Sequence, residues 1–289
     1  MKGARIFVII PAYAEEERIG RTLLGIPSWI SGIVVVDDAS PDATAARALA
    51  MKDPRVTVVQ HPINRGVGRA IATGYQHALR LGAEILVVMA GDNQMDPEDL
   101  PRLLTPLLDG RADYVKGNRF LHPDVRHMPL HRRLGSRLLA RLTNAVGGTT
   151  VDDSQCGYTA LSRHAALHID WDALWERYGY PNDLLIALAR RGFRIVEVPV
   201  RPVYAGEKSG LRPWHLLTIM AVIARRAALE RQRGVLERQR GPSLLHTTQG
   251  AGKQPARARA PFLAEGPTHL SASRKPKRAV ANTPFQRRI

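Results

Sequence analysis

RIFVIIPAYAEEE, residues 5–17, is the stretch on which the fold turns. Arg5 to Ile10 is apolar on both faces and rich in Ile and Val, as a strand covered from both sides must be. Pro11 ends the run, and three glutamates open a helical stretch from Glu15 to Leu24. The same order recurs outward from it. Gly32 to Val36, Arg55 to Gln60 and Glu84 to Met89 read as further buried strands, with helical spacing over Asp42 to Met51 and Gly66 to Leu81 between them. Strand and helix alternating at this rhythm predict an α/β domain whose mostly parallel sheet is flanked by helices. Beyond Asp109, Ala112 to Lys116 and Arg194 to Val198 read as strands. Arg132 to Val146 reads as a helix carrying Arg133, Arg137 and Arg141 in a basic stripe, and Pro213 to Arg226 as a last, amphipathic one.

The chain has 289 residues and a formal charge of +16. Residues 225–289 hold fifteen Lys and Arg against three acids, so the charge belongs to the C-terminal segment and the rest is nearly balanced. From about Arg240 onward the sequence is Gly, Pro, Ala, Ser, Arg and Lys without periodicity, which predicts disorder. The expected layout is a catalytic domain over 1–211, an amphipathic helical extension over 212–240 and a basic disordered tail over 241–289. Cys156 is the only cysteine, which excludes an intrachain disulfide and a thiolate metal cluster. The apolar run at the N-terminus is too short for a secretory signal, and Leu216 to Ala224 is too short to span a bilayer. A cytoplasmic protein is expected.

The unusual residues sit where the strands end. Pro11-Ala12-Tyr13-Ala14-Glu15 follows the first strand, Asp37-Asp38-Ala39-Ser40 the second, and Gly91-Asp92-Asn93-Gln94-Met95-Asp96 the Glu84 strand. In parallel α/β sheets ligands bind at the carboxyl ends of the strands. Acidic groups there can hydrogen-bond a base and ribose and hold a hard divalent cation through oxygen. A lone Asp after a strand is commonly a cap or turn residue, but three such sites in this order are harder to explain that way. G-x-G-x-x-G is missing from the first strand-helix turn and no P-loop motif occurs, which excludes those nucleotide folds.

Taken together, Pro-Ala-Tyr-x-Glu at 11–15, Val-Val-Asp-Asp-x-Ser at 35–40, Asn-x-Gly-x-Gly-x-Ala at 64–70 and Gly-Asp-Asn-Gln-Met-Asp-Pro-Glu at 91–98 resemble the family 2 glycosyltransferases. The likeness is nearest to the branch that makes polyprenyl- and dolichyl-phosphate mannose or glucose. It covers about residues 5–212. It implies a Rossmann-like GT-A fold, an inverting mechanism, a UDP- or GDP-linked sugar donor and Mg²⁺ or Mn²⁺. By position, Pro11, Tyr13, Glu15, Val36 and Asp38 would surround base and ribose, with Gly91, Asp92 and Gln94 beside the diphosphate. Asp92 and Gln94 would be the metal ligands; Ala90 stands where the family's metal motif has its first carboxylate. Gly117-Asn118-Arg119, Arg133-x-x-Ser136, Asp152-Asp153-Ser154-Gln155-Cys156-Gly157-Tyr158 and Arg201 with Gly206-Glu207-Lys208-Ser209 resemble later elements of that branch. Arg119, Arg133, Arg201 and Lys208 would then anchor the acceptor phosphate or donor diphosphate.

The expected partner is a polyprenyl phosphate or another lipid-linked acceptor, met by an enzyme held at the inner, anionic face of a membrane. A phosphate acceptor is already anionic near neutral pH; a hydroxyl acceptor needs a carboxylate to take its proton, Asp153 first or Asp183 second. A nucleotidyltransferase would need a Lys- or Arg-containing glycine loop where this chain has glutamates. A nucleic-acid binder would need aromatics among the basic residues, and the tail has only Phe262 and Phe285. No specific nucleic-acid partner is expected.

Overall fold

The computed structural model describes residues 3–202 and 213–240, with side chains of 216–234 in the second segment. The predicted disordered tail and Lys208 lie outside the described residues, as does the Trp214 side chain. Seven strands are built in chain order: β1 (Ile6–Ala12), β2 (Gly32–Asp37), β3 (Val56–Gln60), β4 (Ile85–Val88), β5 (Tyr114–Asn118), β6 (Thr159–Ser162) and β7 (Ile195–Pro199). They form one sheet in the order β3-β2-β1-β4-β6-β5-β7. β6 runs antiparallel to β4 and β5, and the other pairs are parallel. This is the expected mostly parallel α/β sheet.

Alternation along β1 divides the core. Phe7 and Ile9 face one layer, where α3 (Val67–Arg80) and α7 (Tyr180–Arg190) supply Ile71, Tyr75, Leu184 and Leu188. Ile6, Val8 and Ile10 face the other, against Ile19 and Leu23 of α1 (Ile19–Gly25), Ala48 of α2 (Thr44–Ala50), and Leu100 and Leu104 of α4 (Leu100–Leu108). Burial on both faces is what an all-apolar strand requires. The remaining helices are α5 (Leu130–Gly147), α6 (Arg163–Leu167) and α8 (Pro213–Arg240).

Some boundaries differ from expectation, each with a local cause. Residues 15–18 form a turn whose amides close on the Glu15 carbonyl before α1 begins. α4 holds Pro101 and Pro106, which hide its helical spacing in the sequence. α8 continues past Arg226 through Ala-Ala-Leu-Glu-Arg-Gln-Arg, residues of high helix propensity. It docks on α5 and α7 through Ile219 and Ile223 against Leu139 and Ile186.

Candidate active site

The carboxyl ends of β1, β2 and β4 lie side by side, with Pro11 opposite Val36, Ala12 opposite Asp37 and Ile9 opposite Val88. The turns leaving them are sharp. Ala14, Ala39 and Asn93, one after each strand, take left-handed φ near +58°, a conformation that costs an Ala about 1–2 kcal/mol. Three of the four non-glycine residues with positive φ among the described residues therefore sit at one sheet edge, the kind of place where backbone strain tends to be functional.

Asp38 is buried beneath this edge and holds the next loop. Its carboxylate accepts hydrogen bonds from the amides of Arg65 (2.9 Å) and Gly66 (2.6 Å) and contacts His61 Nδ1 at 2.7 Å. That fixes Gly66 at φ +96° and starts α3 against the 175–180 segment. A Cβ on Gly68 would lie 2.4 Å from the Trp175 carbonyl oxygen. The glycine motif thus permits close backbone approach at this point. Glu15 is mostly buried, accepts from Arg18 at 3.0 Å, and its Cγ lies near Gly91. The Gly91 amide donates to the Pro11 carbonyl (3.4 Å), and its own carbonyl accepts from Thr22 Oγ1 (3.0 Å). Asp92 Oδ1 accepts from the Gln94 amide at 3.0 Å. Tyr13 is half exposed. Val36 reaches this edge through its backbone, opposite Pro11, while its side chain is fully buried in the layer under α3.

Next to Pro11 and Ala90 opens a cavity of about 570 Å³. Val67, Ile71, Met95, Met128, Leu139, Leu216 and Ile219 give it apolar walls, and Arg119, Arg132, His131, Ser136 and Gln155 give it polar groups. Of the arginines named from sequence, only Arg119 lines it. Arg132 takes the place expected of Arg133, whose Nε is buried without an acceptor among the described residues. Helical phase carried the missed signal: Arg132, Gly135, Ser136 and Leu139 share one face of α5. Arg201 lies outside the cavity lining, exposed, with its Nε 3.2 Å from Asp124.

Both candidate bases are engaged. Asp153 has no solvent exposure; Arg119 grips it through Nε (2.8 Å) and Nη2 (3.0 Å) and adds its own amide (3.2 Å). Burial alone would raise its pKa, but the Arg119 charge and hydrogen bonds, with the charge of Lys116, hold it below the usual carboxylate value. Lys116 is itself fully buried, donates to the Cys156 carbonyl at 2.5 Å, and burial lowers its pKa. Glu197 accepts the amides of Asp152 and Asp153, and burial raises its pKa. A Lys directly after Tyr114-Val115 inside a strand was the sequence signal for this network. Asp183 has no solvent exposure either; Arg226 grips it at 2.6 and 2.7 Å, and the Trp175 amide donates to it at 2.8 Å.

Among the described residues no set of three or more His, Cys, Asp or Glu could hold a metal ion. The protein's own donors at the β4 edge are Asp92 and Gln94. Mg²⁺-type ions commonly take one or two carboxylates and complete their shell with substrate phosphate and water, so this donor set fits a cation shared with a diphosphate. It does not fit an all-protein cage.

The glycosyl transferase family 2 domain model matches residues 7–169. The chain is 34% identical over 243 residues to the polyprenol monophosphomannose synthase of Mycolicibacterium smegmatis, covering 80% of this chain and 91% of that one. It is 31% identical over 215 residues to the UDP-N-acetylglucosamine–dolichyl-phosphate N-acetylglucosaminyltransferase of Methanococcus voltae, covering 69% and 86%. In fold it is similar to glucosyl-3-phosphoglycerate synthase from Mycobacterium tuberculosis in complex with Mn²⁺, UDP and phosphoglyceric acid, with a TM-score of 0.57, 23% identity, and coverage of 78% and 79%.

Proposed function

The chain belongs to glycosyl transferase family 2 and is a glycosyltransferase, and from that premise we propose that it moves a hexose from a UDP- or GDP-sugar to a polyprenyl phosphate. The cavity beside Pro11 and Ala90 carries this reading: apolar walls suit an isoprenoid, and the guanidinium groups of Arg119 and Arg132 suit its phosphate. Pro11, Tyr13, Glu15 and Asp38 border the nucleoside. Asp92 and Gln94, with the donor diphosphate, hold Mg²⁺ or Mn²⁺. Bound there, the ion neutralises charge on the leaving diphosphate. The acceptor phosphate oxygen attacks the anomeric carbon in line, that carbon inverts, and nucleoside diphosphate departs. Orientation and charge stabilisation supply the rate. No protein base is required, which agrees with the ion pairs that occupy Asp153 and Asp183.

The acceptor lies in a membrane, and among the described residues no helix is long and apolar enough to cross one. Leu130, Leu134 and Leu138 stand exposed along α5, with Leu217 and Met220 exposed on α8. Exposed leucines beside Arg137 and Arg141 suit shallow insertion at an anionic bilayer surface. The test is a donor panel with undecaprenyl or dolichyl phosphate, reading UDP or GDP release with and without Mn²⁺. Transfer to a soluble hydroxyl acceptor alone would overturn the acceptor assignment, and metal-independent turnover would overturn the role of Asp92.

A further inference from the structure

A second concave site lies away from the cleft. It has a volume of about 710 Å³ and is framed by the C-terminal ends of α5 and α7 and by the second half of α8. Arg132 in the cleft and Val146 in this groove are fourteen residues apart on α5, so the two sites are separated by about 20 Å along that helix. Among the described residues four arginines line the groove, Arg190, Arg191, Arg231 and Arg233, against one carboxylate, Glu230. That carboxylate is shared: it is 3.4 Å from Arg191 and 3.5 Å from Arg226.

Part of this basic character serves the helices. Arg190 donates to the Val146 carbonyl and Arg191 Nη1 to the Ala187 carbonyl at 2.7 Å, as cations near helix C-termini do. Capping does not use the whole groups. The Nε of Arg191 is buried and meets no acceptor among the described residues, which costs free energy. Burial first, and then the neighbouring charge of Arg233, lower the pKa of Arg191. Phe193, edge-on to His168 at 5.7 Å, adds an aromatic wall. The site is a half-open groove of small-molecule volume, concave rather than flat. Planar guanidinium forks match phosphate oxygens two at a time.

We propose that this groove is a second anion site, distinct from the transfer cleft, that takes a compact soluble anion bearing two or more phosphate charges. The proposal does not rest on the acceptor or the donor assigned above.

Calorimetric titration of the full chain with inorganic pyrophosphate, in EDTA and at constant ionic strength, tests it. Arg231→Gln/Arg233→Gln alters two exposed side chains, and Arg132→Gln serves as the cleft control. The expected result is saturable binding in the wild type, about tenfold or more weaker in the double variant and unchanged in the control. Hydrogen exchange should show pyrophosphate protecting 187–193 and 227–234. Equal affinity in the double variant, loss of affinity in Arg132→Gln, or protection confined to 131–139 would overturn the proposal. Phosphatidylglycerol vesicles distinguish a lipid source of the same chemistry: if the double variant loses vesicle sedimentation while pyrophosphate gives no saturable heat in the wild type, the soluble-anion assignment is wrong.

Discussion

Asp183→Ala separates a structural carboxylate from a catalytic one. In the fold, Asp183 and Arg226 are 0% and 4% exposed and joined by two bonds of 2.6 and 2.7 Å. Removing one partner of such a pair leaves a buried charge without its counter-ion and costs about 3–5 kcal/mol. For a body of this size each kcal/mol moves the melting temperature about 2–4 °C, so a fall of about 6–20 °C is expected by calorimetry. A second variant, Asp183→Leu/Arg226→Met, removes both charges and should recover part of the loss. It should not recover all of it, because the Trp175 amide still loses its acceptor and retains a deficit of about 1–3 kcal/mol. Turnover of the single variant, measured well below its melting point, should keep its kcat. Its acceptor KM should rise, since α8 is seated by this pair and carries Leu216 and Ile219 into the cleft. The reasoning fails if Asp183→Ala melts within about 2 °C of wild type, the smallest step a single kcal/mol would give, or if kcat falls by about 10² or more, the loss expected of a general base.

Arg132→Gln should raise the acceptor KM by about 10–100-fold, the worth of a charge-assisted hydrogen bond, while Arg133→Gln changes it less; steady-state kinetics on a long-chain acceptor reads both. Gly68→Ala should destabilise by about 1–3 kcal/mol in urea titration, because its Cβ would lie 2.4 Å from a backbone oxygen that cannot yield without moving the 175–180 segment. Asp153 has a folded pKa below its unfolded value, so its contribution is complete above about pH 4 and is lost as pH falls through the folded pKa. The urea midpoint of Arg119→Gln should therefore fall less than that of wild type between pH 5 and acid, and an unchanged acid limb would refute the pairing.

What could be read from sequence depended on whether the signal was local. β1, β2 and β4 are covered on both faces, so an unbroken apolar run marks them, and the turns after them hold the polar residues at one edge. β6 was not legible, because Thr159–Ser162 is four residues long and its role as the antiparallel insert is fixed by β4 and β5, far away in sequence. At the site, residue types were legible and their partners were not. Asp153 and Asp183 read as acids available for proton transfer, yet each is matched by an arginine 34 or 43 positions away. Arg133 was preferred to Arg132 on motif position, although the helical phase shared with Leu139 favours Arg132.

The ion pairs also bear on the chemistry. A hydroxyl acceptor needs a carboxylate that is accessible and poised to accept a proton near the working pH. Asp153 is neither: it is unexposed, and the charges around it hold its pKa low. Asp183 is unexposed and bonded on both oxygens. To act as a base, either would first have to break an ion pair that secures a neighbouring segment, the turn that follows β5 in one case and α8 in the other. A phosphate monoester makes no such demand, because its second ionisation is near pH 6 and its attacking oxygen arrives charged. What it requires instead is fixed positive charge near an apolar channel. Arg119, oriented by the same Asp153 that is unsuited to be a base, lines the cavity together with Arg132. The feature that weakens one acceptor class therefore positions a cation for the other.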